Sequence, residues 1–202
     1  VLGTIINLLN MKLFLPWTLS TFPRNGWYLG YELVMDIAGA MILLGVLMAA
    51  FRRYILRPKT LETRWDDTTA LLLLFLIAVV GFTNEGIRLM VTKPDWAVWS
   101  PVGNWAASIM TATGFPIQEA AAVHDTLVYI HVLLALTLVS MLPFTKMRHL
   151  INTPLNILVR PRRKTGELTK IDNIETTEIL GVGKVTEFSP QQLLSFDACV
   201  RC

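Results

Sequence analysis

The sequence predicts an all-α integral membrane protein: a helical bundle with three complete spans, the end of a fourth, and a cytoplasmic tail. Three observations predict it. First, the 202 residues are 53% hydrophobic and only 16% charged, with mean hydropathy +0.50, whereas a water-soluble domain carries about 25% charged residues. Second, the apolar residues gather into three runs, each able to supply the ~20 residues that a ~30 Å hydrocarbon core requires of a helix. Third, Lys and Arg are segregated between the runs. The same composition excludes disorder, a collagen-like fibre and a disulfide scaffold. Val1 and Cys202 both read as cuts in a longer protein, so no signal peptide is legible.

Residues 1–9 read as the tail of a helix whose beginning precedes Val1. The first full run covers about residues 28–51 and carries no charge from Ile37 onward. A basic loop follows, with Arg52, Arg53, Arg57, Lys59 and Arg64. The second run, about 68–90, is built around ALLLLFLIAVVGF. Residues 94–116 hold Trp96, Trp99 and Trp105, an aromatic density that suits a segment lying at the headgroup level. The third run, about 123–144, has His131 as its sole potentially charged residue after Asp125.

The basic residues set the orientation. Lys146, Arg148, Arg160, Arg162, Arg163, Lys164 and Lys170 follow the third run, with Lys184 and Arg201 further on; the opposite side has Lys12, Arg24 and Lys93. The positive-inside rule therefore places the 52–67 loop and the tail in the cytoplasm. A basic tail that merely binds anionic lipid gives the same orientation. Past Arg160 the composition turns polar, and Ser189-Pro190 marks a short helix with Ser at the N-cap and Pro at the first position. Two domains follow from this change: a transmembrane domain at 1–158, and at 159–202 a linker leading into the start of a cytoplasmic domain.

Cys199 and Cys202, the two cysteines of the chain, form a Cys-x-x-Cys on the cytoplasmic side. A reducing compartment disfavours a disulfide, and the spacing suits zinc, a redox dithiol or an iron–sulfur cluster equally. The three histidines are His124, His131 and His149. On one continuous helix the eighteen residues from His131 to His149 are five turns, so both project from one face about 27 Å apart. Each imidazole could ligate a haem iron. Pro143 lies between them as a potential kink. His149, beside Lys146 and Arg148, also reads as an ordinary juxtamembrane residue, and His124 beside Asp125 as an interfacial one. His131 is the strongest functional candidate, because ionisable residues within a span are rare and usually functional.

The stretch HVLLALTLVSMLPFTKMRH resembles the last helix of the gamma-subunit cytochromes b of membrane nitrate reductases, in which two haem-ligating histidines flank a Pro-Phe-Ser/Thr-Lys segment. Over essentially the whole chain the sequence is similar to a fusion family related to heterodisulfide reductase. In that family such a cytochrome b runs into a ferredoxin-like iron–sulfur domain. The matching pieces are LGT, YELVMDIAGAMILLG, RRYILRP, GFTNEGIR, SPVGNW, PFTKMRHLINTPLNI and FSPQQLLSFDACVRC. The resemblance implies that His131 and His149 are axial ligands of one or two haems b. It also implies that Cys199 and Cys202 open a Cys-x-x-Cys-x-x-Cys-x-x-x-Cys-Pro motif for a [4Fe–4S] cluster. No histidine precedes His124; the family's partner ligands would come from the helix ending at Leu2-Gly3-Thr4.

A second polar set gathers toward the outer side: Glu32, Asp36, Glu85, Arg88, His124 and Asp125. Glu85 and Arg88 are three apart and can simply pair. A carboxylate near an outer haem is also what quinol oxidation needs as a proton acceptor, which makes Glu85 and His124 the catalytic candidates. The expected function is a quinol-linked oxidoreductase module of a prokaryotic inner membrane, passing electrons from the outer face through haem b to a cytoplasmic iron–sulfur domain. Its expected partners are lipid, quinone and other redox subunits, not nucleic acid. The competing class is a transporter or assembly scaffold with a zinc-binding tail. A transporter should show inverted repeats or broken helices near the midplane; the sequence shows neither, and the polar groups cluster toward one face rather than the midplane.

Overall fold

The computed structural model describes residues 26–59, 61–160 and 182–198, and all regular elements among them are helical. Residues 1–9, Lys12, Arg24, the 161–181 linker, Cys199 and Cys202 lie outside the described residues. The helices are α1 (Gly26–Ala50), α2 (Trp65–Thr92), α3 (Pro101–Ala112), α4 (Ala120–Met141), α5 (His149–Leu158) and α6 (Pro190–Ala198). Three spans, Leu29–Leu56, Trp65–Thr92 and Ile117–Phe144, are long and apolar enough to cross a membrane. The protein is a helical membrane domain, as its composition requires.

All three spans exceed their apolar runs, the first two for identifiable reasons. After Ala50 the chain does not stop but widens into a π-helical turn, Phe51–Leu56, closed by Arg57 in the left-handed region (φ 43°), whose N–H donates to the Arg52 carbonyl at 3.1 Å. That turn carries Arg53 onto Asp67 at 2.6 Å and the Tyr54 hydroxyl onto Thr68 Oγ1 at 2.8 Å. At the start of α2, the Asp67 carboxylate accepts the Arg64 N–H at 2.9 Å. Asp66 and Asp67 thus fill a first turn where negative charge complements the helix dipole.

The chain forms two compact units, dividing between Val139 and Ser140. In the first, α2 packs on α1 and, more extensively, on α3. Its buried centre is Ile87, Leu89 and Met90 of α2 with Ala107 of α3 and Ala120 of α4, near the tryptophan-rich end of the bundle. Ala120, Val123, Leu127, Ala135 and Leu138 are buried or partly buried along α4, while Tyr129, Leu133 and Leu136 are exposed. This spacing of three and four residues is a single helical stripe, and His131 falls on it. The exposed side chains along the spans, such as Met41, Leu44 and Leu133, are apolar, the expected surface toward lipid or further helices.

In the second unit the single helix expected through Pro143 is broken. α4 ends at Met141, two 3₁₀ turns follow (Leu142–Phe144 and Lys146–Arg148), and His149 begins α5. Pro143 has no N–H for an α-helical bond. Thr145, extended at ψ 178°, accepts the Met147 N–H on its own hydroxyl instead. No single helix therefore runs from His131 to His149. The helix expected at Ser189-Pro190 is present as α6: the Gln192 N–H donates to Ser189 Oγ at 3.3 Å, and the Ser189 N–H to Gln192 Oε1 at 2.9 Å.

Candidate functional site

His131 is half-buried on the packed stripe of α4 and faces α2. Gly81 makes that approach possible: a Cβ there would lie 3.2 Å from His131 Cε1 and 3.6 Å from Nδ1. His149 is held locally, its Nδ1 donating to the Lys146 carbonyl at 2.6 Å. An imidazole that donates from one ring nitrogen to a backbone carbonyl is oriented and fixed in one tautomer, presenting the lone pair of the other nitrogen to a metal. His149 therefore fits haem ligation in orientation, and His131 fits it in donor chemistry and in its place within a span. Among the described residues no cluster of three or more His, Cys, Asp or Glu could hold a metal ion.

The polar set near the tryptophan-rich end assembles around Arg88. Its guanidinium donates to both oxygens of Glu85, with Nε to Oε2 at 2.9 Å, reaches Glu32 Oε1 on α1 at 3.1 Å, and lies 5.0 Å from the Trp96 ring centre. Sequence alone paired Glu85 with Arg88; Glu32 is the additional partner, contributed from another span.

Asp36 has a different task. Buried at 6% exposure, it accepts the N–H groups of Val102 at 2.8 Å and Gly103 at 3.0 Å. These are among the donors that the first turn of α3 leaves without helical partners, so α1 caps α3 from outside. Ser100, at the N-cap position, makes no side-chain cap bond. It is 1% exposed, and its hydroxyl lies 3.4 Å from Glu85 Oε1 and 3.5 Å from Asp36 Oδ1. Gly103 closes the arrangement, because a Cβ there would sit 2.6 Å from Glu85 Cγ. Ser100 and Gly103 were not singled out from sequence as site residues. The Ser-Pro helix-start signature marks the position, but the capping carboxylate is distant in sequence and invisible to local patterns. Asp36→Ala is expected to leave two donors unanswered and lower stability by about 2 kcal/mol. Thermal unfolding in detergent measures this, with Asp36→Asn, which keeps one acceptor oxygen, losing less.

The geometry ties the carboxylate cluster to His131 through α2. Glu85 is one turn, about 6 Å, beyond Gly81, the residue that His131 packs against. Three carboxylates share one guanidinium and one helix N-terminus. His124 stands apart from this cluster: its Nδ1 lies 3.6 Å from Asp125 Oδ1, with the imidazole 20% and the carboxylate 76% exposed. Among the described residues, no hydrogen bond or ion pair joins His124 to Glu85.

The pattern that defines the nitrate reductase gamma subunit family matches residues 14–164. The chain is 30% identical over 189 residues to the EtfAB:quinone oxidoreductase of Syntrophomonas wolfei, covering 89% of this chain and 26% of that protein. It is 29% identical over 178 residues to the probable iron–sulfur-binding oxidoreductase FadF of Bacillus subtilis, covering 87% and 25%. With the nitrate reductase-like protein NarX of Mycobacterium tuberculosis it shares 28% over 148 residues, covering 72% and 22%. The chain thus spans about a quarter of the length of the curated relatives it matches. No solved structure matches it.

Proposed function

The chain belongs to the nitrate reductase gamma subunit family, and on that premise we propose that it is the membrane electron-transfer module of a quinol-linked oxidoreductase. Quinol is oxidised at the tryptophan-rich end, which faces outward, and electrons leave inward toward a cytoplasmic iron–sulfur domain. The observation that carries this reading is His131: an imidazole within a membrane span, packed closely against Gly81 of the neighbouring span. Haem b, when bound, supplies one-electron carriage between the two faces. His131 would hold an outer haem and His149 an inner one. Each of the two would supply one ligand, the remaining ligands coming from elsewhere in the complete protein or from a partner subunit.

Glu85 and His124 take up the protons that quinol releases. Glu85 stands one turn from the contact of His131 with α2, and Arg88 and Ser100 hold its carboxylate in place. His124 shares the packed face of α4, about 10 Å along the helix from His131. Cys199 and Cys202 ligate a [4Fe–4S] cluster, a role supported by the resemblance and by the name of the Bacillus relative. The excess of Lys and Arg on the 52–64 loop and beyond residue 145 supports placing that side in the cytoplasm of a prokaryotic inner membrane. Quinol-driven reduction of a haem b band in the complete protein tests the proposal.

A further inference from the structure

Ser100 is a helix N-cap whose hydroxyl does not cap. It stands before Pro101, the first residue of α3, where a serine ordinarily accepts an N–H of the first turn. Asp36 of α1 has taken over that task, accepting from Val102 and Gly103. The backbone of Ser100 is pinned on both sides: its N–H donates to the Ala97 carbonyl at 3.1 Å, and its carbonyl accepts the Asn104 N–H at 2.7 Å. The freed hydroxyl is buried between two carboxylates that come from different spans. At 3.4 Å from Glu85 Oε1 and 3.5 Å from Asp36 Oδ1, it is within reach of both and closely bound to neither. Close packing sets this spacing: a Cβ on Gly103 would lie 2.6 Å from Glu85 Cγ and 3.4 Å from Ser100 Oγ, and a Cβ on Gly86 would lie 3.1 Å from the Ala107 nitrogen. The charged groups around Glu85 are Arg88 on its own helix, Glu32 on that guanidinium with Tyr31 beside it, and Asp36 across Ser100. α3 brings no titratable side chain, and α4 brings His131 one turn away at Gly81.

A serine hydroxyl has one hydrogen to give and can accept at the same time. Between two ionised carboxylates it can donate to only one of them. Between a carboxylate and a carboxylic acid it can donate to the first and accept from the second. We infer that Ser100 is a positioning residue for Glu85, a two-position hydroxyl that donates to Glu85 before proton uptake and turns to Asp36 after it. This rests on the reading of Glu85 as a group that takes a proton from quinol. One proton passes from quinol to Glu85, whose carboxylate becomes the acid. The new O–H of Glu85 donates to Ser100 Oγ, while Ser100 directs its own hydrogen to Asp36. Ser100 neither gains nor loses a proton, and no electron passes through it. The turn keeps both forms of Glu85 hydrogen-bonded in a place where an unanswered polar group is costly. Arg88 keeps Glu32 as its counter-charge when Glu85 becomes neutral.

The test uses the complete membrane protein with Ser100→Ala and Ser100→Cys, the second keeping the side-chain volume with a thiol that bonds only weakly. Infrared difference spectra between high and low pH, taken without quinol, read the carboxylic-acid band of Glu85, identified as the band that Glu85→Gln removes. In both Ser100 variants this band is expected to move to higher frequency, because the acid has lost a hydrogen-bond partner. Quinol-driven haem reduction should slow about tenfold in both, as for loss of one hydrogen bond to a charged group, with haem content unchanged. A role in packing alone is restored by the thiol, so a wild-type band and rate in Ser100→Cys overturn the switch. An unshifted band or an unchanged rate in both variants overturns it too. If Ser100→Ala does not fold, Ser100→Cys decides by the same two readings. A wild-type spectrum from which Glu85→Gln removes no acid band, or wild-type quinol kinetics in Glu85→Gln, overturns instead the reading of Glu85 on which the switch depends.

Discussion

In the complete protein, His131→Ala and His149→Ala are each expected to remove about half of the haem b, and the double variant all of it. Neither substitution should unfold the bundle. His131 is half-buried against Gly81, so truncation leaves a small gap on one stripe of α4 and spares the packed centre around Ile87 and Ala107. His149 heads a helix, and its Nδ1 bond to Lys146 is local. The haem spectrum should therefore change while yield and thermal stability stay close to wild type. The two variants should also differ in what remains: His131→Ala should block reduction by quinol, whereas His149→Ala should leave the remaining haem reducible by quinol but unable to pass electrons on. Loss of haem from only one of the two variants means a single haem. Full haem content in both means that these histidines are structural.

Glu85→Gln is expected to slow quinol-driven haem reduction by about 100-fold, the usual range for losing a proton acceptor, without changing haem content. The amide keeps the volume beside Gly103 and can still accept from Arg88 and Ser100, but it cannot take a proton. Glu32→Gln is the control. It also removes a carboxylate from Arg88, so equal effects of the two variants mean that the cluster's charge balance matters rather than Glu85 as an acceptor. Wild-type quinol kinetics across pH in Glu85→Gln make Glu85 a purely structural partner of Arg88.

The parts of the fold that were legible in sequence are those set by local chemistry. Run length and the lack of charge located the three spans, Ser189-Pro190 located the start of α6, and Pro143 warned of the break before His149. The illegible parts depend on tertiary approach. Nothing near residue 36 indicates that its carboxylate caps a helix that begins 65 residues later. The backing of His131 by Gly81 needs two helices brought side by side, since the glycine alone reads as one more small residue in an apolar run. The π-helical turn at Phe51–Leu56 is likewise absent from any composition rule; it becomes intelligible once Arg53 is seen on Asp67 and Tyr54 on Thr68. At the site, residue identity showed which groups were chemically capable, and only the packing showed that Glu85 stands one turn from the histidine contact while His124 does not join its cluster.

The most direct measurement of the central claim is anaerobic mixing of quinol with the complete protein in sealed vesicles, following the haem b absorbance together with a pH indicator on the side facing Trp96 and Trp99. Quinol gives up its protons as it gives up its electrons, and haem takes only electrons. The account predicts that haem reduction is accompanied by acidification on that side, followed by reduction of the cluster. Haem that dithionite reduces but quinol does not, or protons appearing on the arginine-rich side, would contradict it.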